Sequence, residues 1–95
     1  MKIIFLKSFD KAYSKVSSGK QEQIDKTIEK LVYYLGEREA PMPKGIGMEK
    51  RKGGYGYCRV DIHLRVVFKE EKDALIFYLV GTHKQVETYI KNLSR

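Results

Sequence analysis

Two arginines and one histidine are the side chains of this chain best suited to chemistry on a phosphate group. Arg59 and Arg65 lie in neighbouring β-rich runs, and His83 follows a third such run. A guanidinium is planar and contacts a phosphate through two N–H groups at once, which the point charge of lysine cannot do. An imidazole donates or accepts a proton near neutral pH. These residue types favour phosphate binding with acid–base catalysis. Ordinary solvated surface side chains are the alternative at all three positions.

The alternation of apolar residues predicts that the two arginines lie side by side. The apolar positions of the two runs are Cys58, Val60, Leu64, Val66 and Phe68. They share one face of a hairpin only if Val60 lies opposite Leu64, across a three-residue turn that begins at Asp61. This register puts Arg59 directly opposite Arg65 on the other face. Because like charges in such a pair cost stability, an anion held between them would explain the pair. Two side chains that extend into water are the alternative.

Cations and tyrosines are concentrated around these runs. Lys and Arg bind backbone phosphates, and tyrosine rings stack on the bases of single-stranded RNA. The candidate RNA-binding residues are Lys44, Lys50, Arg51, Lys52, Tyr55 and Tyr57. Packing within a sheet is the alternative for the two tyrosines. Tyr89 fits the apolar stripe of the last helix, a core position whose hydroxyl could emerge at the sheet edge near His83.

Composition limits the possible partners and cofactors. The net charge is +7, and residues 44–95 hold eleven Lys and Arg against six acids, which indicates a polyanionic partner such as nucleic acid, an acidic protein or an anionic membrane surface. One cysteine and two histidines argue against a zinc site, and we expect no cofactor and a reducing, cytoplasmic environment. The longest apolar run, 74–80, is too short to span a membrane. Cys58 faces the core in the register above, which argues against a nucleophilic thiol.

The apolar periodicity predicts one α+β domain over residues 1–95. Strands are predicted at 2–6, 57–62, 64–69 and 74–81, and helices at 9–16, from about 20 to 35, and from 82 onward. The order βααβββα gives a single four-stranded, mostly antiparallel sheet with an N-terminal helical hairpin and a C-terminal helix. Residues 37–56 are predicted to be irregular. Thr82 and Gln85 form a capping box at the start of the last helix. We expect the helices to cover one face of the sheet and to leave part of the other open.

The order of elements and several short motifs resemble the RelE/ParE superfamily, the toxins of type II toxin–antitoxin systems. The motifs are the basic loop, Arg59-Val60, Leu64-Arg65-Val66-Val67-Phe68 and Leu79-Val80-Gly81-Thr82-His83. The most specific combination is an arginine at the start of an apolar strand, a strand that ends in Gly-x-His, and a tyrosine six residues later. These are Arg65, His83 and Tyr89.

The resemblance implies a ribosome-associated mRNA endonuclease (an mRNA interferase) that inhibits translation. In such enzymes the 2′-hydroxyl attacks the neighbouring phosphate without a metal ion. Carried over to this chain, Arg65 stabilises the phosphate charge with help from Arg59, and His83 is general acid or base. Tyr89 orients the bases or the phosphate, and residues 50–52 grip the backbone. The implied partners are an acidic antitoxin, mRNA and the ribosome, with a toxin that is monomeric on its own.

Two departures and two alternatives remain within this interpretation. Asp61 stands about where some family members carry a second basic residue, and no base other than His83 is evident except Glu49. One alternative is the ParE branch, which inhibits DNA gyrase and lacks the nuclease residues. The other is a basic RNA-binding domain without toxicity. The combination of His83 and Arg65 favours the nuclease branch.

Overall fold

Five strands and three helices make up the part of the chain that the computed structural model describes, residues 1–36 and 47–93. In chain order the elements are β1 (Lys2–Phe5), α1 (Lys7–Ser14), α2 (Ser18–Gly36), β2 (Glu49–Lys50), a 3-10 turn (Lys52–Gly54), β3 (Tyr55–Arg59), β4 (Leu64–Glu71), β5 (Ala74–Thr82) and α3 (His83–Leu93). The α+β class and the order of the predicted helices and strands are confirmed.

All five strands join one sheet in the order β1-β5-β4-β3-β2. Strand β1 is parallel to β5, and the other neighbouring strands are antiparallel. Strand β5 lies between β1 and β4, so both of its edges are hydrogen-bonded for at least part of their length. This central position explains why residues 74–80 are apolar on both faces.

The prediction of a four-stranded sheet was wrong by one strand. Glu49 and Lys50 form the fifth, pairing antiparallel with Tyr57 and Gly56 at the β3 edge. They fall in the segment 37–56 that the sequence predicted to be irregular. A strand of two exposed, charged residues has no alternating apolar pattern. It is recognised only by its hydrogen-bonded pairing with β3, which the sequence does not show.

Helices α1 and α2 cover one face of the sheet. Their apolar stripes pack on inward-facing residues of the three central strands and form the larger core. Its buried members are Phe9, Ile24, Ile28, Leu31, Cys58, Val66, Phe68, Leu75, Phe77 and Val80. The two helices also contact each other, because the Tyr13 hydroxyl donates a hydrogen bond to Asp25 Oδ1 at 2.8 Å. This core fixes the sheet from which the candidate site projects.

Helix α3 packs on the opposite face, so the expectation that the helices share one face was wrong. Val86 and Ile90 of α3 are buried against Tyr57 and Val67, which alternate along β3 and β4 with members of the larger core. The sequence pattern could not show this, because an amphipathic helix packs equally well on either side of a sheet whose strands are apolar on both faces. The second face is therefore covered in its middle.

A bulge in β5 adapts the strand to its two cores. Val67 pairs with Leu79 while Phe68 pairs with Phe77, so Tyr78 is the extra residue. The bulge lets Tyr78 and Leu79 both pack on the α3 side.

Candidate nucleic-acid site at the open end of the sheet

Arg59 and Arg65 lie directly opposite each other on β3 and β4, in the register that the sequence predicted. On the next strand, Arg65 pairs with Gly81. Both arginines alternate with buried core residues, so both project from the face that carries α3. The space above Gly81 is taken by α3, because a Cβ added there would lie 2.7 Å from Gln85 Oε1. The two guanidinium side chains therefore share the end of this face beside the start of α3.

The two arginines have different surroundings. Arg65 is half-buried, and its Nη1 donates hydrogen bonds to the carbonyl oxygens of Asp61, at 2.8 Å, and Leu64, at 3.2 Å. Arg59 is exposed and lies against the backbone of Gly47, where an added Cβ would come within 3.1 Å of Arg59 Cβ and 3.3 Å of its Nε. Neither arginine forms an ion pair within the described residues. Arg65 is held by the turn, and Arg59 remains available for an anion.

Asp61 builds the turn that holds Arg65. Its Oδ1 accepts hydrogen bonds from the backbone N–H groups of His63 and Leu64, and its other oxygen pairs with Lys20 Nζ of α2 at 2.5 Å. The Lys20 contact, aided by the two backbone N–H groups, lowers the pKa of Asp61 to about 2. The prediction that Asp61 lies in a turn is confirmed, and both oxygens of its carboxylate are bonded, one to the turn backbone and one to Lys20.

His83 is the first residue of α3 and is positioned by the predicted capping box. Gln85 N–H donates to Thr82 Oγ1 at 3.2 Å, and Thr82 N–H donates to Gln85 Oε1 at 2.9 Å. The exposed imidazole meets the ring of Tyr57 edge to face, with ring centroids 6.2 Å apart and an interplanar angle of 83°. Because Tyr57 precedes Arg59 by two residues on the same face, its backbone is about 7 Å from that of Arg59. The imidazole thus contacts the ring of the residue that lies one row along this face from Arg59.

Tyr57 links His83 to two charged residues. Its hydroxyl donates a hydrogen bond to Glu49 Oε2 at 2.5 Å, and Arg51 Cζ lies 5.5 Å from the centroid of its ring. Burial and, next, the bond to Glu49 raise the pKa of the Tyr57 hydroxyl. Tyr57 is buried, at 4% exposure. Glu49, Arg51 and His83 therefore all contact the side chain of Tyr57.

Acidic side chains neutralise much of the basic cluster at residues 50–52. Arg51 Nη2 lies 2.6 Å from Glu87 Oε1 and 3.2 Å from Glu49 Oε1, and Lys50 Nζ lies 3.1 Å from Glu70 Oε1. Lys52 is exposed and forms no ion pair within the described part of the chain. Arg51 and Lys52 line a groove of about 440 Å³ against α3. Lys44, the remaining predicted cation, lies outside the described residues.

Tyr55 and Tyr89 lie farther along the same face. Tyr55 is four residues before Arg59, about 13 Å away along the strand. Its ring meets that of Tyr78 at 5.6 Å, Tyr78 meets Tyr89 at 6.4 Å, and Lys69 Nζ lies 5.0 Å from the Tyr55 centroid. The structure therefore places Tyr89 with this aromatic row, whereas Arg59 and Arg65 lie at the other end of the face and His83 contacts Tyr57 between them.

Two residues of the site went unnoticed in the sequence. Glu87 is one turn along α3 from His83 and pairs with Arg51, while Gly47 flanks Arg59 with a positive φ of 52°. A glutamate on a helix gives no sign of a partner 36 residues away. Gly47 offered a weak sign, because a glycine before a strand often marks a positive φ or a close approach of backbone.

Within residues 1–36 and 47–93, no group of three or more His, Cys, Asp and Glu side chains could hold a metal ion. Nor does any helix in those ranges have the length and apolarity to cross a membrane.

Comparisons with known proteins identify the fold. No family model and no curated protein matches the chain. Among solved structures, the RelB–RelE antitoxin–toxin complex from Methanococcus jannaschii matches with a TM-score of 0.66 and 23% identity, over 90% of this chain and 96% of that one. The E. coli DinJ–YafQ complex matches with a TM-score of 0.66 and 19% identity over the same shares. The YoeB dimer from Staphylococcus aureus matches with a TM-score of 0.65 and 19% identity, over 87% of this chain and 97% of that one.

These structural neighbours are RelE-, YafQ- and YoeB-type toxins of toxin–antitoxin systems, and the RelE and YafQ structures are toxin–antitoxin complexes. The chain accordingly has the fold of the RelE/ParE-type toxins.

Proposed function

We propose that this chain is the toxin of a toxin–antitoxin pair and cleaves mRNA by attack of a 2′-hydroxyl on the neighbouring phosphate. One observation carries the proposal: Arg59 and Arg65 are paired at the open end of a sheet face, and the His83 imidazole contacts Tyr57, the next residue along that face from Arg59. This intramolecular transesterification needs cations that stabilise the developing phosphorane charge, and two groups that transfer protons. The arrangement supplies both kinds of group on one face.

Each side chain has a role in this scheme. Arg65, held by the turn, stabilises the negative charge on the phosphate, and exposed Arg59 contacts the same or the adjacent phosphate. His83 donates a proton to the leaving 5′-oxygen. Glu49, which shares the Tyr57 ring with His83, is the second proton-transfer group and accepts the proton of the 2′-hydroxyl. The products are a 2′,3′-cyclic phosphate and a 5′-hydroxyl.

The RNA path follows from the cations that remain unpaired. Lys52 and Arg59 are exposed without an ion pair in the described ranges, whereas Lys50 and Arg51 are paired with acids. The phosphate backbone therefore runs from the arginine pair toward Lys52 along the groove beside α3. Tyr55 and Tyr89 lie beyond the scissile phosphate, where they would contact bases at neighbouring positions of the strand. The ribosome holds the mRNA during cleavage, and an acidic antitoxin covers the site when the toxin is silent.

Induced expression in a bacterial host tests the function. We expect growth arrest and mRNA cut at defined positions, mapped by primer extension and by the chemistry of the fragment ends. Arg65→Ala and His83→Ala should each lower cleavage by roughly 10² to 10⁴. Lys72→Ala is the matched control, because it removes an exposed charge from the β4–β5 turn at the opposite end of the strands.

The outcome separates the candidate functions. Growth arrest by both folded variants at wild-type strength would refute the catalytic assignment. Growth arrest with a DNA-damage response and intact mRNA would indicate the gyrase inhibitor, and harmless expression would indicate a non-toxic RNA-binding domain. If the adjacent reading frame encodes a small acidic protein, its coexpression should restore growth.

A further inference from the structure

An aromatic pocket with acidic walls lies on the α1–α2 face of the sheet, opposite the proposed RNA site. Its volume is about 340 Å³, at the small end of the range for ligand sites. It is lined by Phe5, Phe9, Asp10, Tyr13, Asp25 and Ile28. These residues come from β1, α1 and α2, so the pocket is built on the rigid part of the fold.

Three aromatic rings form a continuous wall in this pocket. Phe5 and Phe9 have ring centroids 5.2 Å apart, and Phe9 and Tyr13 are stacked at 5.7 Å. Phe5 is 44% exposed although it also stacks on the buried Phe77 ring at 5.1 Å. Phe9 is 3% exposed, so Phe5 and the half-buried Tyr13 supply the accessible part of this wall, and such an aromatic face attracts a cation or a planar guanidinium.

Two carboxylates add negative charge to this wall. Asp25 is oriented by the hydrogen bond from Tyr13, and Asp10 forms no ion pair within the described residues. No lysine or arginine in the described part of the chain lines the pocket, although the chain has a net charge of +7. A polyanion such as RNA would be repelled, whereas a cationic side chain would match both the rings and the carboxylates.

The edge strand beside the pocket favours a polypeptide as the source of that cation. Among the described residues, β1 is the outermost strand of the sheet, and the N–H groups of Lys2 and Leu6 donate inward to the carbonyl oxygens of Asp73 and Phe77. The alternate N–H groups of Ile3 and Phe5 therefore point away from the sheet. An extended segment paired with this edge would lie next to the pocket, with Phe5 common to both.

We propose that this pocket receives an arginine side chain from a protein partner that lies along the edge of β1. The guanidinium stacks on the Phe5–Phe9–Tyr13 wall and forms hydrogen bonds with the carboxylates of Asp10 and Asp25. This binding site is separate from the RNA site and does not depend on RNA cleavage. Binding of arginine at this pocket and cleavage of RNA can therefore be tested independently, and a negative result for one does not affect the other.

Binding of small probes to the isotope-labelled chain, followed by NMR, tests this site. N-acetyl-arginine amide should shift the signals of the pocket residues, and N-acetyl-citrulline amide, which has the same shape without the charge, should not. The blocked peptide Ser-Leu-Arg-Leu-Ser should bind more tightly than the single residue and should also protect the Ile3 and Phe5 amides from exchange. Equal shifts from arginine and citrulline probes, or shifts outside the pocket only, would overturn the site. Equal affinity of peptide and single residue would overturn the polypeptide occupant.

Matched variants locate the charge that the probe recognises. Asp10→Asn combined with Asp25→Asn should weaken arginine binding about tenfold, and Tyr13→Phe should weaken it less because the ring remains. Glu29→Gln removes an exposed acid of α2 outside the pocket and should leave affinity unchanged. An equal effect of Glu29→Gln would show that the net charge, and not the pocket, attracts the probe. Unaltered spectra outside the pocket establish that each variant is folded.

Discussion

Arg59 and Arg65 are directly opposed cross-strand neighbours, and neither is neutralised by an acid within the described residues. Like charges in opposed positions destabilise a sheet by about 0.2 to 1 kcal/mol. Arg65 offsets part of that cost through hydrogen bonds to the turn, whereas Arg59 has no such compensation. The pair is thus a feature that stability alone does not explain, and it is consistent with a site that binds an anion.

Replacing Arg59 should separate stability from RNA binding. We expect Arg59→Gln to leave the free energy of unfolding unchanged or to raise it by up to about 1 kcal/mol, because the repulsion is removed. Its affinity for a single-stranded RNA oligonucleotide should fall, and the slope of log affinity against log salt should decrease by about 0.7, as for one lost phosphate contact. Urea unfolding and filter binding measure the two effects. The control Lys72→Gln should have smaller effects on both the free energy of unfolding and the affinity for RNA. A loss of stability in Arg59→Gln would contradict the repulsion argument.

The ion pair between Lys20 and Asp61 should make stability depend on pH in the acid range. The pKa of Asp61 is lowered in the folded chain to about 2, from an ordinary value near 4. A lowered carboxyl pKa stabilises the fold fully above the unfolded value, and this contribution is lost as pH falls from about 4 toward 2. Its size is on the order of 1 to 2 kcal/mol, because Lys20 is partly in water.

Asp61→Asn checks this pH dependence. Asparagine keeps an oxygen for the N–H groups of His63 and Leu64 but loses the charge that pairs with Lys20. We expect the variant to be less stable than the parent at pH 6 and equally stable near pH 2, by urea unfolding at a series of pH values. Asp73→Asn, at the exposed β4–β5 turn, should follow the parent throughout. A difference between parent and Asp61→Asn that is constant with pH would mean that the ion pair does not carry the effect.

Cys58 should be unreactive until the chain opens. Its side chain is fully buried in the larger core, and burial raises the pKa of the thiol to about 12. The thiolate that reacts with iodoacetamide is therefore almost absent at pH 8, and the reagent reaches it only through an opening of the sheet. Mass spectrometry should show slow labelling in buffer and rapid labelling in concentrated urea. Rapid labelling of the folded chain would contradict the assigned burial.

The sequence predicted the centre of the site better than its surroundings. Alternation of apolar residues determined the β3–β4 register, because a shift of one residue would have paired Val60 with Arg65 and mixed apolar with charged side chains on each face. The capping box likewise located the start of α3 and with it His83. Both signals are local, since the interacting residues lie within a few positions of each other.

Long-range contacts account for what the sequence could not predict. Arg51 and Lys50 resembled free RNA-binding cations, but their acidic partners Glu87 and Glu70 lie 36 and 20 residues away. The two-residue strand β2 exists only through its pairing with β3, and α3 could have packed on either face of the sheet. Each of these features affects the charges around the site, but none produces a periodicity or motif in the adjacent sequence that would predict it.

Gly56 should be essential for placing Glu49 in the site. It pairs with Lys50 of β2, and a Cβ added to it would lie 2.8 Å from the Glu49 carbonyl oxygen and 3.0 Å from Phe68 Cζ. Because one of these neighbours is backbone, Gly56→Ala should push β2 away, cost about 1 to 3 kcal/mol, and break the Tyr57–Glu49 hydrogen bond. RNA cleavage should fall although no proton-transfer group is removed. Gly19→Ala is the matched control, since its added Cβ meets no atom within 4 Å and alanine favours helix α2. Wild-type cleavage by a folded Gly56→Ala variant would mean that Glu49 acts from some other position or takes no part in proton transfer.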